Sequence, residues 1–282
     1  MGADSLPRRL LKRLLYPLLN ESAYQVGQAA AKAWDIRTGS WYEPEIDLIR
    51  HAVRPGDVAL DIGANYGLYT YHLSRAVGPR GRVYAFEPVP FTFRTCRLVV
   101  RMLRLTNTEL VGKGCADRSE RVAFRVPVQA SRALSAGQAY LGTRNDARQG
   151  REMQVRWEGT REVWCDVVAL DEFLPDVADL SFVKADIEGA ELFAFAGAVK
   201  TIERHLPTVV CEINPWFLEG YGLRLDELTG FFLARDYELY RYDASGGRGR
   251  LHRCRGEEIV EDNYVFVHPR RRGRVAALCA SP

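Results

Sequence analysis

Two stretches, Val58-Ala-Leu-Asp-Ile-Gly-Ala-Asn-Tyr-Gly67 and Val83-Tyr-Ala-Phe-Glu-Pro88, constrain this chain more than any others. An apolar run ends on Asp61, turns through glycines 63 and 67, and enters a helical pattern from Leu68 to Val77. A second apolar run delivers Glu87 at its end. Strand, glycine loop, helix and acid-tipped strand together suit a nucleoside. The backbone approaches a ligand where no Cβ intervenes, and the acid accepts both ribose hydroxyls. A dinucleotide site reads G-x-G-x-x-G, so that a helix N-terminus meets a pyrophosphate. Here the loop reads Asp61-x-Gly63-x-Asn65-x-Gly67. A carboxylate at that strand end repels a pyrophosphate but attracts an ammonium or a sulfonium, the charges that S-adenosylmethionine carries. An ordinary strand-to-helix turn would leave Glu87 unexplained.

At 282 residues the chain is long enough for one large domain with appendages, and its net charge of +3 points neither toward nor away from nucleic acid. Six cysteines lie far apart with no C-x-x-C and no zinc-like histidine spacing, which reads as buried thiols in a reducing compartment, the cytoplasm. No run approaches the ~20 apolar residues that a membrane span needs. Near the N-terminus, Leu6, Leu10, Leu11, Leu14, Leu15, Leu18 and Leu19 recur at helical spacing among Arg8, Arg9, Lys12 and Arg13. Such a helix lies on an anionic membrane surface or packs on the domain or a second subunit; packing is our expectation.

We expect a helical extension and cap over 1–53, a ligand-binding domain over 54–268 and a basic, solvated tail over 269–282. A linking stretch with Trp34, Trp41 and Tyr42 precedes a helical pattern from Pro44 to Val53. Strands Val58–Ile62, Arg82–Phe86 and Thr108–Gly112 then alternate with helices Leu68–Val77 and Pro90–Arg104. Strand Leu180–Ala185, helix Gly189–His205 and strand Pro207–Ile213 repeat the theme. This alternation implies an α/β fold, a mostly parallel sheet with helices on both faces. Tyr237–Tyr242 and Asn263–His268 read as an antiparallel hairpin closing one edge, for seven strands in all. Arg121–Val126 and Val163–Val168 look like strands, and the polar, arginine-rich 127–160 reads as an insertion with structure of its own near the strands' carboxyl ends.

A second constellation is Phe182-Val-Lys-Ala-Asp-Ile-Glu-Gly-Ala-Glu191. Ligands of open parallel sheets sit beyond the strands' carboxyl ends, where Asp61, Glu87, Asp186 and Glu212 would share a rim. Glu188 and Glu191 serve either the site or the helix N-terminus that follows them. Together, Tyr42-Glu43-Pro44, Leu60-Asp-Ile-Gly-Ala-Asn65, Tyr84-Ala-Phe-Glu-Pro88, Lys184-Ala-Asp-Ile-Glu-Gly-Ala-Glu191 and Val210-Cys-Glu-Ile213 resemble the FkbM family of S-adenosylmethionine-dependent methyltransferases, over roughly residues 40 to 240. Ala185 stands where that family more often has a bulkier aliphatic residue. The resemblance implies a class I methyltransferase, Rossmann-like fold and methyl transfer to a hydroxyl of a sugar, glycoside or polyketide-type natural product. It further implies that Tyr42, Asp61, Gly63, Asn65, Gly67, Glu87, Pro88, Asp117 and Asp186 bind the cofactor, with Asp117 near the adenine.

Transfer to an alcohol needs the acceptor held in line with the methyl and its proton removed. Lys184 and Asp186 are the candidates, Glu188 next: Asp186 accepts the proton while Lys184 fixes its orientation or merely pairs with it. Glu212 and Asn214 are candidates for binding the substrate. Asp186, Glu212 and Asn214 also offer hard oxygens to a magnesium ion, but we rank a metal-free site above it. The expected partner is a small hydroxyl acceptor, not nucleic acid; a homo-oligomer stays open, and membrane contact through the N-terminal helix is not favoured. Two other readings stay open, a nicotinamide-dependent oxidoreductase and a non-catalytic partner that binds S-adenosylmethionine.

Overall fold

The β-branched and aromatic runs of the sequence pair into one eight-stranded sheet, with a four-stranded sheet beside it. The structure is a computed structural model and describes residues 21–129, 139–141, 157–245, 249–254, 259–260 and 262–279. Helices α1 (Glu21–Thr38) and α2 (Ile46–Ala52) precede β1 (Val58–Ile62), α3 (Leu68–Val77), β2 (Arg82–Phe86), α4 (Pro90–Met102) and β3 (Thr108–Val111). Strands β4 (Gly114–Cys115), β5 (Glu120–Gln129), β6 (Tyr140–Leu141) and β7 (Trp157–Val168) follow. Then come α5 (Leu170–Phe173), β8 (Leu180–Ala185), α6 (Glu191–Ala196), α7 (Val199–His205), β9 (Thr208–Ile213), α8 (Pro215–Gly220) and α9 (Leu225–Leu233). Strands β10 (Glu238–Asp243), β11 (Arg250–Arg253) and β12 (Asp262–Val267) lead to a short helix α10 (Arg272–Val275).

The main sheet runs β11-β10-β12-β9-β8-β1-β2-β3. Its five strands from β9 to β3 are parallel, and the three at the other edge are antiparallel. From β1 the chain steps outward through β2 to β3, and later fills the other side with β8 and β9. The carboxyl ends of β1 and β8 therefore flank a switch in strand order, where such sheets leave a crevice.

Alternation along the strands sorts side chains onto two faces. Leu60, Ile62, Val183, Val209 and Cys211 join one apolar cluster with Phe195, Leu228 and Phe232. Ala59, Val83, Phe182, Val210 and Val265 join the other with Ile49, Leu73 and Ile36. Period-two spacing then puts Asp61, Lys184, Glu212 and Asn263 on this second face, each two residues from a buried Ala59, Phe182, Val210 or Val265. Four adjacent strands thus place a polar row at the rim of an apolar face.

Several expectations change. The sheet has eight strands rather than seven, because Arg250–Arg253 pairs outside β10 and buries Leu251. The stretch around Trp34 is no linker: it belongs to the 18-residue helix α1, whose Ala29, Ala33 and Ile36 face the core. Helix Gly189–His205 is broken into α6 and α7 at Gly197, where a Cβ would meet the Ala116 carbonyl oxygen at 2.0 Å. The strands flanking the insertion are longer than expected, pairing as one antiparallel ribbon from Glu120–Val167 to Gln129–Trp157, with β6 alongside at Phe124–Leu141. The rest of the insertion and the leucine-rich stretch 6–19 lie outside the described residues. The tail is not solvated as far as Cys279. Val275 and Leu278 are buried, Arg271 donates to the His205 carbonyl at 2.8 Å, and Arg274 donates to the Ala52 carbonyl and pairs with Asp57. Among the described residues no helix is long and apolar enough to cross a membrane.

Candidate functional site

The crevice at the switch point has an apolar wall and a polar floor. Phe86, Val89, Cys115, Phe124, Leu141 and Val167 form the wall, the last four from the second sheet. Asp61, Glu43, Lys184, Asp186, Glu188 and Glu212 supply the polar end, with Gly63, Ala64 and Asn65 between. One long concave surface thus offers an apolar slot for a flat ring and charge for a polar tail.

The glycine loop is fixed by the β2 end. The amides of Gly63 and Ala64 both donate to the Phe86 carbonyl, at 3.0 and 2.9 Å. Gly63 has φ +86, and a Cβ there would fall 2.0 Å from the Asp186 carbonyl oxygen. Only glycine lets β1 and the turn after β8 approach this closely. Gly63→Ala is expected to cost about 2–3 kcal/mol, from strain and overlap together, read as a lower urea midpoint; an unchanged midpoint would contradict the packing. Gly67, also at positive φ, starts α3 and does not line the crevice.

Glu87 is 5 % exposed and clasped by two backbone amides, Asn65 N to Oε2 at 3.0 Å and Val89 N to Oε1 at 2.9 Å. Burial nevertheless pushes its carboxyl up to about 8. Beside it, Asn65 Oδ1 is buried with no hydrogen-bond partner among the described residues, an acceptor left for a ligand's donor. Asp61, 2 % exposed, accepts from the Thr70 hydroxyl; burial lifts it to about 6 against that bond and the nearby Lys184.

Lys184 is the center of the polar row. Only 1 % exposed, its ammonium donates to Asn263 Oδ1 at 2.7 Å, lies 3.5 Å from Asp186 Oδ2, and sits 5.0 Å over the Tyr69 ring. Burial opposes its charge, but Asp186, Glu212 and Glu43 outweigh it and raise its pKa, so Lys184 remains a cation. Asp186, by contrast, has 40 % of its side chain exposed in the crevice. Glu212 neighbours it at the end of the next strand, where burial first, then Asp186 and Glu188, raise its carboxyl well above the usual range. Burial and its acidic neighbours therefore push Glu212 toward its protonated form beside Asp186.

Of the residues singled out from the sequence, Asp61, Gly63, Asn65, Glu87, Pro88, Lys184, Asp186, Glu188 and Glu212 line the crevice together. Four others do not. Tyr42 is exposed and turned edge-on to His72, while its neighbours Trp41 and Glu43 line the wall. Asp117 has 44 % of its side chain exposed, 3.9 Å from Arg118, one turn beyond the wall residue Cys115. Asn214 Oδ1 accepts from the amides of Trp216 and Phe217, so it caps α8 instead of meeting a substrate or a metal. Glu191 locks the turn after β8 by accepting from Ile187 N and Gly189 N. Among the described residues no three His, Cys, Asp or Glu side chains are grouped to hold a metal ion. Glu43, Tyr69, Phe124 and Asn263 were missed as site residues. Glu43 stood inside a quoted motif, whereas the others carry no local signal.

Residues 61–239 match the model of the methyltransferase FkbM domain. No curated protein matches the chain. Among solved structures, an FkbM methyltransferase from Methylobacillus flagellatus KT aligns at 19% identity with a TM-score of 0.45, covering 79% of this chain and 50% of that one. This chain thus spans about half the length of that protein. A SAM-dependent O-methyltransferase from Thermotoga maritima aligns at 12% identity, TM-score 0.43, covering 83% and 69%. A SAM-dependent methyltransferase from Aquifex aeolicus aligns at 14%, TM-score 0.40, covering 83% and 97%. At these identities and scores the likeness adds nothing to the family match.

Proposed function

The chain belongs to the FkbM family of methyltransferases, and on that footing we propose that it transfers a methyl group from S-adenosylmethionine to a hydroxyl of a small molecule, a sugar, glycoside or polyketide-type compound. One observation carries the reading: a crevice-facing carboxyl, Asp186, stands beside a buried ammonium and shares its crevice with the amide-clasped Glu87. The residues present fit the donor. Glu87 would take the ribose hydroxyls, Asn65 Oδ1 a further donor, the wall of Phe124 and Val167 the adenine, and Asp61 the cationic end. When bound, S-adenosylmethionine supplies an electrophilic methyl on a positive sulfur.

The chain's own residues do the rest. Lys184 keeps the charge of Asp186 favourable, and Asp186 receives the proton of the acceptor hydroxyl as the new carbon–oxygen bond forms. Glu212, holding its own proton, can donate to a second acceptor oxygen and orient it. Trp41, held under the Lys32 ammonium at 4.0 Å from its ring centroid, closes the side of the crevice nearest α1.

Thermal shift and methyl incorporation test this reading. S-Adenosylhomocysteine at a hundred times its dissociation constant should stabilise the protein by about 2.7 kcal/mol, and NADH should not. Tritiated methyl from S-adenosylmethionine should then enter a panel of glycosides, polyols and phenols rather than a matched panel of amines. Stabilisation by NADH alone would reinstate the oxidoreductase reading, and incorporation confined to the amines would overturn the hydroxyl assignment.

A further inference from the structure

Asn263 belongs to the polar row but stands behind the crevice wall. It does not line the crevice, and among the described residues its side chain reaches the site through Lys184. At 2.7 Å, its Oδ1 is closer to the ammonium than Asp186 Oδ2 is, at 3.5 Å. An ammonium only donates, so the amide must present Oδ1 to Lys184 and aim Nδ2 elsewhere. β12 sets this placement: Asn263 pairs in register with Glu212, and Glu212 is two residues beyond Val210, which pairs with Lys184.

We propose that Asn263 is a positioning residue, which aims the Lys184 ammonium at the Asp186 carboxylate during methyl transfer. The inference rests on the reading of Asp186 as proton acceptor. A lysine has a flexible four-carbon stem, and here several carboxyls compete for its charge: Glu43, Asp61, Asp186 and Glu212. A neutral acceptor anchors the ammonium without neutralising it. A carboxylate in the same place would hold it more strongly, and an apolar side chain would release it to whichever acid is nearest. Tyr69 closes the opposite side with its ring face. The clamp of amide and ring leaves Asp186 as the ammonium's crevice-side partner.

The chain has five lysines, Lys12, Lys32, Lys113, Lys184 and Lys200, so selective ¹⁵N-lysine labelling resolves them by NMR. In the full-length protein, Lys184 should give a slowly exchanging ammonium signal, assigned by its loss in Lys184→Arg. Asn263→Ala should speed that exchange at least tenfold and lower methyl transfer to an acceptor from the hydroxyl panel about tenfold, with S-adenosylhomocysteine affinity changed less than twofold. Asn263→Asp, which keeps an oxygen in place, should restore the slow signal and serves as the second variant should the alanine protein fail to fold. Paired with Asp186→Asn, Asn263→Ala should add no further loss, since its effect passes through Asp186. An exchange rate unchanged in Asn263→Ala, or losses that multiply in the double variant, would overturn the proposal. The NMR arm needs no acceptor. Failure of the methyltransferase reading would appear instead as missing S-adenosylhomocysteine binding, and failure of the base assignment as full turnover in Asp186→Asn.

Discussion

Asp186→Asn should lower kcat for hydroxyl methylation by roughly 10²–10⁴, the usual range for a lost general base, while S-adenosylhomocysteine binds within a few-fold of the parent. The split follows from geometry. Asp186 is the crevice acid with an exposed side chain and a cationic neighbour, whereas Asp61 and Glu87 are sealed in the loop. Asparagine keeps the shape but cannot take a proton, and it leaves the Lys184 ammonium without its crevice-side anion. Parallel loss of donor affinity and turnover would move Asp186 from the acceptor to the donor side of the site. Retained turnover would leave proton removal to solvent.

Lys184 cannot substitute as the base. Its neighbours raise rather than lower its pKa, so at neutral pH it has no free lone pair. Under the proposed function it would act as a fixed positive charge beneath the Asp186 carboxyl, and its burial lets pairing and orientation coincide. Glu212, pushed toward its protonated form by burial first and then by Asp186 and Glu188, lessens the repulsion at these strand ends.

What was legible in the sequence was whatever depends on short spacing. β1, α3, β2 and β8 occupy the residue ranges that periodicity and turn residues implied, and Gly63, Glu87, Lys184 and Asp186 meet where the rule for parallel sheets places them. Register and return packing were not legible. Asn263 reaches Lys184 across 79 residues because β12 inserts between β9 and β10, and nothing near Asn263 announces that pairing. Phe124 lines the crevice because the ribbon of β5 and β7 folds back beside β4, again a long-range choice. Asn214 misled because an asparagine before a proline at a strand end fits both a ligand and a helix cap; the cap won, satisfying two amides of α8 that would otherwise be orphaned. Nothing near the tail's arginines announces that Arg274 pairs with Asp57, just before β1.

At pH ~8.5, where the acid is ionised, Glu87→Ala should weaken S-adenosylhomocysteine binding about a hundredfold or more, since each hydrogen bond to a charged acceptor is worth about 1.5–3 kcal/mol and the ribose offers two. The carboxylate also holds Asn65 N and Val89 N, so alanine orphans two loop amides and should lower the urea midpoint of the donor-free protein as well. Glu87→Gln separates the two effects, keeping one acceptor oxygen and the size of the side chain. The pH dependence supplies the check. Glu87 has its carboxyl raised from 4.5 to about 8 by burial, so between those values the folded chain holds a proton that the unfolded chain has released. Stability therefore falls as pH rises through that window, and this contribution is lost once the pH passes about 8. The histidines His51, His72, His205 and His268 have lowered pKa values and are already neutral above pH ~7, so they do not mask the fall there. Donor binding runs the other way: ribose hydroxyls donate best to the ionised acid, so calorimetric affinity should climb severalfold from pH ~7 to ~8.5. Glu87→Gln should flatten the affinity trend and shrink the fall in stability, to which Glu191, raised to about 7, and the raised Glu212 also contribute. An affinity that stays flat in the parent protein, or a rise that survives in the glutamine variant, would show that the sugar is held by another group.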